Sequence, residues 1–81
     1  MRVTVQLFAR LRDLAGSGTA VVEVTPPATI EDVWAALAVL HPAVAPFRPS
    51  LSAALNDDYA RMSTAVAEGD AVAFLPPVSG G

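Results

Sequence analysis

Ala71-Val72-Ala73-Phe74-Leu75-Pro76-Pro77-Val78-Ser79-Gly80-Gly81 forms the end of the sequence. Its first part is an apolar run of strand length; its second part can be neither helix nor interior strand. Pro76 and Pro77 fix φ near the polyproline value and remove two backbone donors, so regular pairing stops after Leu75. Pro77 also holds Pro76 extended. Val78 and Ser79 offer little apolar bulk to anchor the chain. Gly80 and Gly81 carry no Cβ, so their backbone fits a channel too narrow for other residues. At roughly 3.3 Å per residue, the stretch past Leu75 reaches about 20 Å. The reading is a central strand over 71–75, buried on both faces, that feeds an extended, flexible Gly-Gly tail over 76–81. The Gly81 carboxylate becomes the candidate working group, delivered to chemistry housed in another protein.

Outward from this strand, Glu68-Gly69-Asp70 is a turn signal, and 63–67 carries no clear pattern. Residues 51–55 read as a strand and 59–62 as a short edge strand, joined through the turn residues Asn56-Asp57-Asp58. At the other end, Val3, Val5 and Leu7 alternate with Arg2, Thr4 and Gln6 as in a half-buried strand over 2–8. Phe8 breaks the alternation. Leu11 and Leu14 then suit a short helix over 9–15, with Gly16 as its C-cap. Residues 19–25 form a second strand, with Ala20, Val22 and Val24 on one face, and Pro26-Pro27 stops it.

The main helix starts at Thr29, an N-cap with Asp32 three residues on, and Glu31 and Asp32 complement its positive end. Ile30, Val33, Trp34, Ala36, Leu37 and Leu40 make an apolar stripe at helical spacing. Pro42 ends the helix near His41. Residues 43–50 read as an irregular connector with Phe47 tucked inward. The order is strand, strand, helix, strand, short strand, strand. If the first and last strands lie side by side they run parallel, joined through the helix. The fold class is α+β: a mixed β-grasp sheet with one main helix across one face. The domain occupies 1–75 and the tail 76–81.

Composition narrows the function. With 81 residues the chain holds one domain. It has no cysteine, which excludes disulfides, zinc-thiolate sites and thiol nucleophiles. All the basic side chains are arginine, and the net charge of -3 argues against phosphate-backbone binding, so no nucleic-acid partner is expected. No apolar run approaches the ~20 residues of a membrane span, and no signal-peptide pattern appears, which makes the cytoplasm the expected location and leaves no membrane role.

Two segments carry a family resemblance. One is Val3-Thr4-Val5-Gln6-Leu7-Phe8-Ala9-Arg10-Leu11-Arg12-Asp13-Leu14-Ala15-Gly16. The other is Ala53-Ala54-Leu55-Asn56 followed by Glu68-Gly69-Asp70 and the run through Gly81. Together they resemble the small subunit of molybdopterin synthase, within the ubiquitin-like sulfur carrier proteins. Residues 26–50 match only in placing a capped helix. Leu75 and Ser79 stand where members often carry Phe and Thr.

The resemblance implies that an E1-like enzyme activates the Gly81 carboxylate with ATP as an acyl-adenylate, and that a sulfur donor converts it to a thiocarboxylate. It implies transfer of that sulfur to a cyclic pyranopterin phosphate precursor, building the molybdopterin dithiolene inside a large synthase subunit. The implied assembly is a heterotetramer of two small and two large chains. The chain would not be catalytic alone and would bind no cofactor, the ATP belonging to the activating enzyme. Gly80, Ser79, Val78, Pro77 and Pro76 along the tail, with Phe74 and Phe8 at its root, are the expected partner contacts. Two alternatives share the tail: a ubiquitin-like modifier forming isopeptide bonds through Gly81, and a thiamine-pathway sulfur carrier.

Other chemistry-bearing residues read as structural. His41 sits at a helix end. Asp57-Asp58 and Glu68 with Asp70 lie in turns without further oxygen ligands, so no metal site is expected. Gly16-Ser17-Gly18 lacks a phosphate-loop pattern. Ser, His and Asp show no triad spacing. Trp34 reads as core.

Overall fold

The computed structural model describes residues 1–77. Strand β1 (Arg2–Leu7) buries Val3, Val5 and Leu7. Helix α1 (Ala9–Ala15) follows, with Phe8 in extended backbone at its N-cap. Gly16 ends α1 at φ 78°, in the left-handed region that favours glycine, and its N–H donates to the Arg12 carbonyl. Strand β2 (Thr19–Glu23) returns antiparallel to β1, with Val3 opposite Val22 and Val5 opposite Ala20. It ends two residues short of the expected boundary, although Val24 still bonds to Met1.

Strand β3 (Ala28–Thr29) leads into helix α2 (Ile30–Leu40) through the expected capping box. Thr29 N–H donates to the Asp32 carboxylate at 2.8 Å, and Asp32 N–H donates to Thr29 Oγ1 at 3.4 Å. Ile30, Val33, Trp34 and Leu37 are buried. Leu40 departs from the expected stripe and is 58% exposed. At 100° per residue it lies about 70° from the centre of the buried four, so the last turn carries it off the sheet. Thr29→Ala removes one half of the box and is expected to cost about 1 kcal/mol in urea denaturation.

The expected irregular connector is a 3-10 segment, Pro42–Ser50. Pro42, Pro46 and Pro49 lack the donors an α-helix needs but hold φ in the range that 3-10 turns use. Val44 is buried and Phe47 half-buried against the core. Arg48 of this segment donates through Nε and a terminal nitrogen to the Glu31 carboxylate, tying the segment to the start of α2. The hydrogen bond from Arg48 holds the Glu31 carboxyl below its ordinary value of 4.5. The pair's contribution is therefore complete above that pH and is lost as the pH falls through the depressed value. Glu31→Gln is expected to lower the melting temperature slightly at neutral pH, where the pair is intact, and to leave it unchanged in acid, where the pair is already lost, as measured by melting temperature against pH.

Strand β4 (Ser52–Leu55) and strand β5 (Asp58–Ala60) form a hairpin. Its turn residues Asn56 and Asp57 both take positive φ, 48° and 75°, as a two-residue hairpin turn requires. Strand β6 (Ala65–Val66), in a stretch without sequence pattern, pairs with β3 as a separate two-stranded sheet. Strand β7 (Ala71–Leu75) completes the main sheet, whose order is β2-β1-β7-β4-β5.

β7 is central, parallel to β1 and antiparallel to β4. Val5 faces Val72 and Leu7 faces Phe74 across the parallel pair. Helix α2 covers the face that carries Val3, Val5, Val72 and Phe74. This is the β-grasp arrangement: a mixed sheet with its main helix over one side. Burial of β7 on both faces does not hold. Val72 and Phe74 are fully buried, whereas Ala71, Ala73 and Leu75 are half-buried, because no helical layer covers the second face.

Candidate functional site

The parallel register of β1 and β7 decides what stands at the point where the chain leaves the sheet. With Leu7 opposite Phe74 on the core side, the next residues, Phe8 and Leu75, fall at the same sheet end. Phe8 cannot follow Leu7 inward, because side chains alternate along an extended backbone. Ala9 then turns the chain at φ 51°, a left-handed value that a non-glycine residue rarely takes. The turn sends α1 away and leaves Phe8 46% exposed.

Phe8, Ala9, Arg10, Phe47, Leu75, Pro76 and Pro77 line a groove of about 570 Å³ around the tail root. Its walls are apolar except for Arg10. The prolines place no backbone donor on it, so a partner meets carbon surface and one cation there. Leu75 continues the groove onto the uncovered sheet face, where Ala54 lies between Ala73 and Tyr59. Ala54 and Ala73 make the middle of that face shallow and let another surface approach closely there.

Among the expected partner contacts, Pro76 and Pro77 lie at the mouth of the groove and Phe8 on its wall. Phe74 is a correction. It has 0% exposure and meets Trp34 edge to face, ring centres 4.9 Å apart, so it gives a partner no surface. The strand alternation that turns Leu75 outward turns Phe74 in. Val78, Ser79, Gly80 and Gly81 lie outside the described residues. Phe47 and Arg10 are additions. Phe47 reaches the site through the 3-10 segment, a tertiary approach with no sequence signal.

The remaining polar candidates have local roles. Glu68 accepts from Arg2 N–H at 3.0 Å. Asp70 accepts from Ala67 N–H at 2.7 Å and from the Asn56 amide at 3.2 Å, while the Asn56 carbonyl accepts from Ala71 N–H. This knot ties the turn before β7 to the β4–β5 hairpin. His41 caps α2 through its backbone, donating to the Leu37 carbonyl. Among the described residues, no group of three potential metal-ligating side chains comes together, and no helix is long and apolar enough to cross a membrane.

A β-grasp domain whose central strand runs out through an apolar groove into a Gly-Gly sequence defines a protein of the ubiquitin-like carrier class. The chain belongs to the ThiS family, whose model matches residues 5–81. It is 36% identical to a molybdopterin synthase sulfur carrier subunit of Chlamydomonas reinhardtii, over 100% of both chains. It is 37% identical to small archaeal modifier protein 1 of Haloferax volcanii, covering 94% of this chain and 97% of the relative. A crystal structure of SAMP1 from Haloferax volcanii superposes with a TM-score of 0.90, at 35% identity and with 100% of both chains covered. The chain is thus a sulfur carrier of the ubiquitin-like type in family and fold.

Proposed function

We propose that this chain is the sulfur-carrying small subunit of a molybdopterin synthase, working in the cytoplasm. The observation that carries the reading is the tail root. The central strand of a firmly paired sheet ends in Pro76-Pro77 at the edge of an apolar groove, within a family match that runs through Gly81. A carboxylate is a poor electrophile. An E1-like enzyme would join the Gly81 carboxyl to the α-phosphate of ATP, releasing pyrophosphate, so that AMP becomes the leaving group. A sulfur donor would then displace AMP and leave a thiocarboxylate, a soft anionic nucleophile. That sulfur would form a carbon–sulfur bond to the cyclic pyranopterin phosphate precursor. Water would then cleave the acyl–sulfur bond, leaving the sulfur on the precursor toward the dithiolene and returning Gly81 to a carboxylate. The large subunit would supply the pocket and the acid-base groups. The fixed sheet would aim the tail, and side-chain-free glycines would let the sulfur approach substrate. The assembly proposed is two small and two large chains.

Intact mass after incubation with the E1-like enzyme, ATP and a sulfur source tests this. The expected change is replacement of one oxygen by sulfur at Gly81. No change under conditions that load a control carrier would refute the reading.

The groove makes its own prediction. Phe8→Asp places a charge on the exposed apolar wall without touching the core. It is expected to weaken binding of the large subunit by about 2 kcal/mol, roughly thirtyfold, in calorimetry, with the fold unchanged by circular dichroism. Unchanged affinity would remove the groove from the interface.

The Haloferax relative's name favours a second reading, a modifier whose Gly81 forms isopeptide bonds with target lysines. Activation is shared, and the acceptor differs. Conjugates that survive denaturing electrophoresis would support the modifier. A thiamine-pathway carrier shares the same activation too, and loss of thiamine synthesis in a deletion strain would identify it.

A further inference from the structure

One edge of the main sheet is bare. β2 pairs with β1 through its even-numbered residues. Val24 and Met1 exchange both backbone bonds, at 3.0 and 2.7 Å, and Leu7 N–H donates to the Gly18 carbonyl at 2.9 Å. The alternation of an antiparallel pair then points the N–H and C=O groups of Thr19, Val21 and Glu23 away from the sheet. Thr19 is satisfied locally. Its N–H donates to Ser17 Oγ at 3.2 Å, and its carbonyl accepts from that hydroxyl at 2.9 Å. Val21 and Glu23 have no backbone or side-chain partner for these outward groups among the described residues.

Apolar side chains border the same edge. Val21 is 52% exposed on the uncovered face, and Val39, at the end of α2, is 80% exposed. Val39 and Leu40 share with Val21, Val22 and Glu23 a groove of about 420 Å³ between helix and strand. β2 contains neither lysine nor proline, the residues that usually blunt such an edge.

We propose that this edge is a homodimer interface, in which β2 of one copy pairs antiparallel with β2 of a second about a two-fold axis at Val22. The free groups dictate the register. An axis at Val22 sets Val21 opposite Glu23 of the second copy, and Glu23 opposite its Val21. Both crossings become hydrogen-bonded pairs, and every free donor and acceptor of both edges is used. An axis at Val21 would leave Glu23 facing Thr19, whose groups Ser17 already holds.

Charge agrees with self-pairing. Glu23 keeps Arg2 at 4.0 Å within its own chain. The register sets it against valine, so no two carboxylates meet across the seam. On the helix side Val22 is already buried, and the exposed Val39 and Leu40 of both chains flank the seam, so apolar burial accompanies the strand pairing. The axis reverses strand direction. The two β7 ends therefore lie at opposite ends of the joined sheet, and both tail-root grooves stay open to other proteins.

Sedimentation of the full chain over a concentration series tests the proposal. The expected result is a reversible dimer that Val39→Glu weakens by about tenfold or more, because the new charge would be desolvated at the seam. Val21→Pro removes an outward donor on an edge strand and is expected to weaken it likewise. Tyr59→Ser, at the far edge, leaves it unchanged. Val22→Cys, in a chain without cysteine, is expected to cross-link on mild oxidation, since the pair on the axis sets its Cα atoms about 4.5 Å apart. Circular dichroism establishes that each variant is folded, and Val39→Glu alters only an exposed side chain, so it decides the matter if the others unfold. A chain that stays monomeric up to about millimolar concentration overturns the proposal. So does a dimer indifferent to Val39→Glu.

Discussion

Adding one alanine after Gly81 is expected to abolish sulfur loading while leaving the domain folded. The extension moves the terminal carboxyl by about 3.5 Å and puts a methyl group where the chain has none. Acyl-adenylate formation needs the carboxylate oxygen within about 3–3.5 Å of the α-phosphate, and a misplacement of about 1 Å already costs roughly a hundredfold. Loading should therefore fall by at least about a hundredfold. The fold should not respond, because among the described residues the buried core runs from Val3 to Phe74 and the addition follows Gly81. Intact mass reads the loading and urea denaturation reads the fold. Normal loading of the extended chain would mean that the chemistry occurs elsewhere.

Phe74→Ala is expected to have the largest effect on stability. Phe74 lies on the central strand, between Leu7 of β1 and Ala53 of β4, fully buried and edge to face with Trp34. Truncation removes this buried ring of the sheet from its packing against the helix. Such changes cost about 3–5 kcal/mol. Natural domains hold only about 5–15 kcal/mol in total, and small ones sit near the lower end. The variant should be partly or wholly unfolded at physiological temperature, with its urea midpoint sharply lowered. Phe8→Ser should cost less than about 1 kcal/mol and move that midpoint correspondingly little, because Phe8 is half solvated. Similar midpoints for the two variants would contradict the assignment of one ring to the core and the other to the surface.

That contrast shows where reading the sequence stops. Phe8 and Phe74 both flank the tail root and both suggest docking residues. Their opposite fates follow from strand alternation, counted from Leu7 on one strand and from Val72 on the other. The parallel pairing that aligns the two counts exists only in the folded sheet. Leu40 is similar: its spacing fits the apolar stripe, and the rotation of the last helical turn takes it out.

Elements whose signal is local were legible. The alternation in β1, the Thr29–Asp32 capping box, the Gly16 cap, the turn before β7 and the Pro76-Pro77 stop each depend on neighbours a few residues away. The β3–β6 pair was not legible, because two-residue strands carry no period and form only when distant segments meet. The Arg48–Glu31 tie and the arrival of Phe47 at the groove are of the same kind, as each joins a proline-rich segment to a remote element.

The sequence alone determined the longer strands, the two helices with their caps, the place where regular structure ends, and the Gly80-Gly81 pair beyond it. These are matters of dihedral preference, donor count and periodicity, which each residue expresses within its own neighbourhood. Tertiary structure alone decided which phenylalanine is exposed at the tail root, what walls that root, and which backbone groups of β2 are left without a partner. Those depend on register and layering, which arise when strands far apart in the chain compete for the same hydrogen bonds and the same dry face.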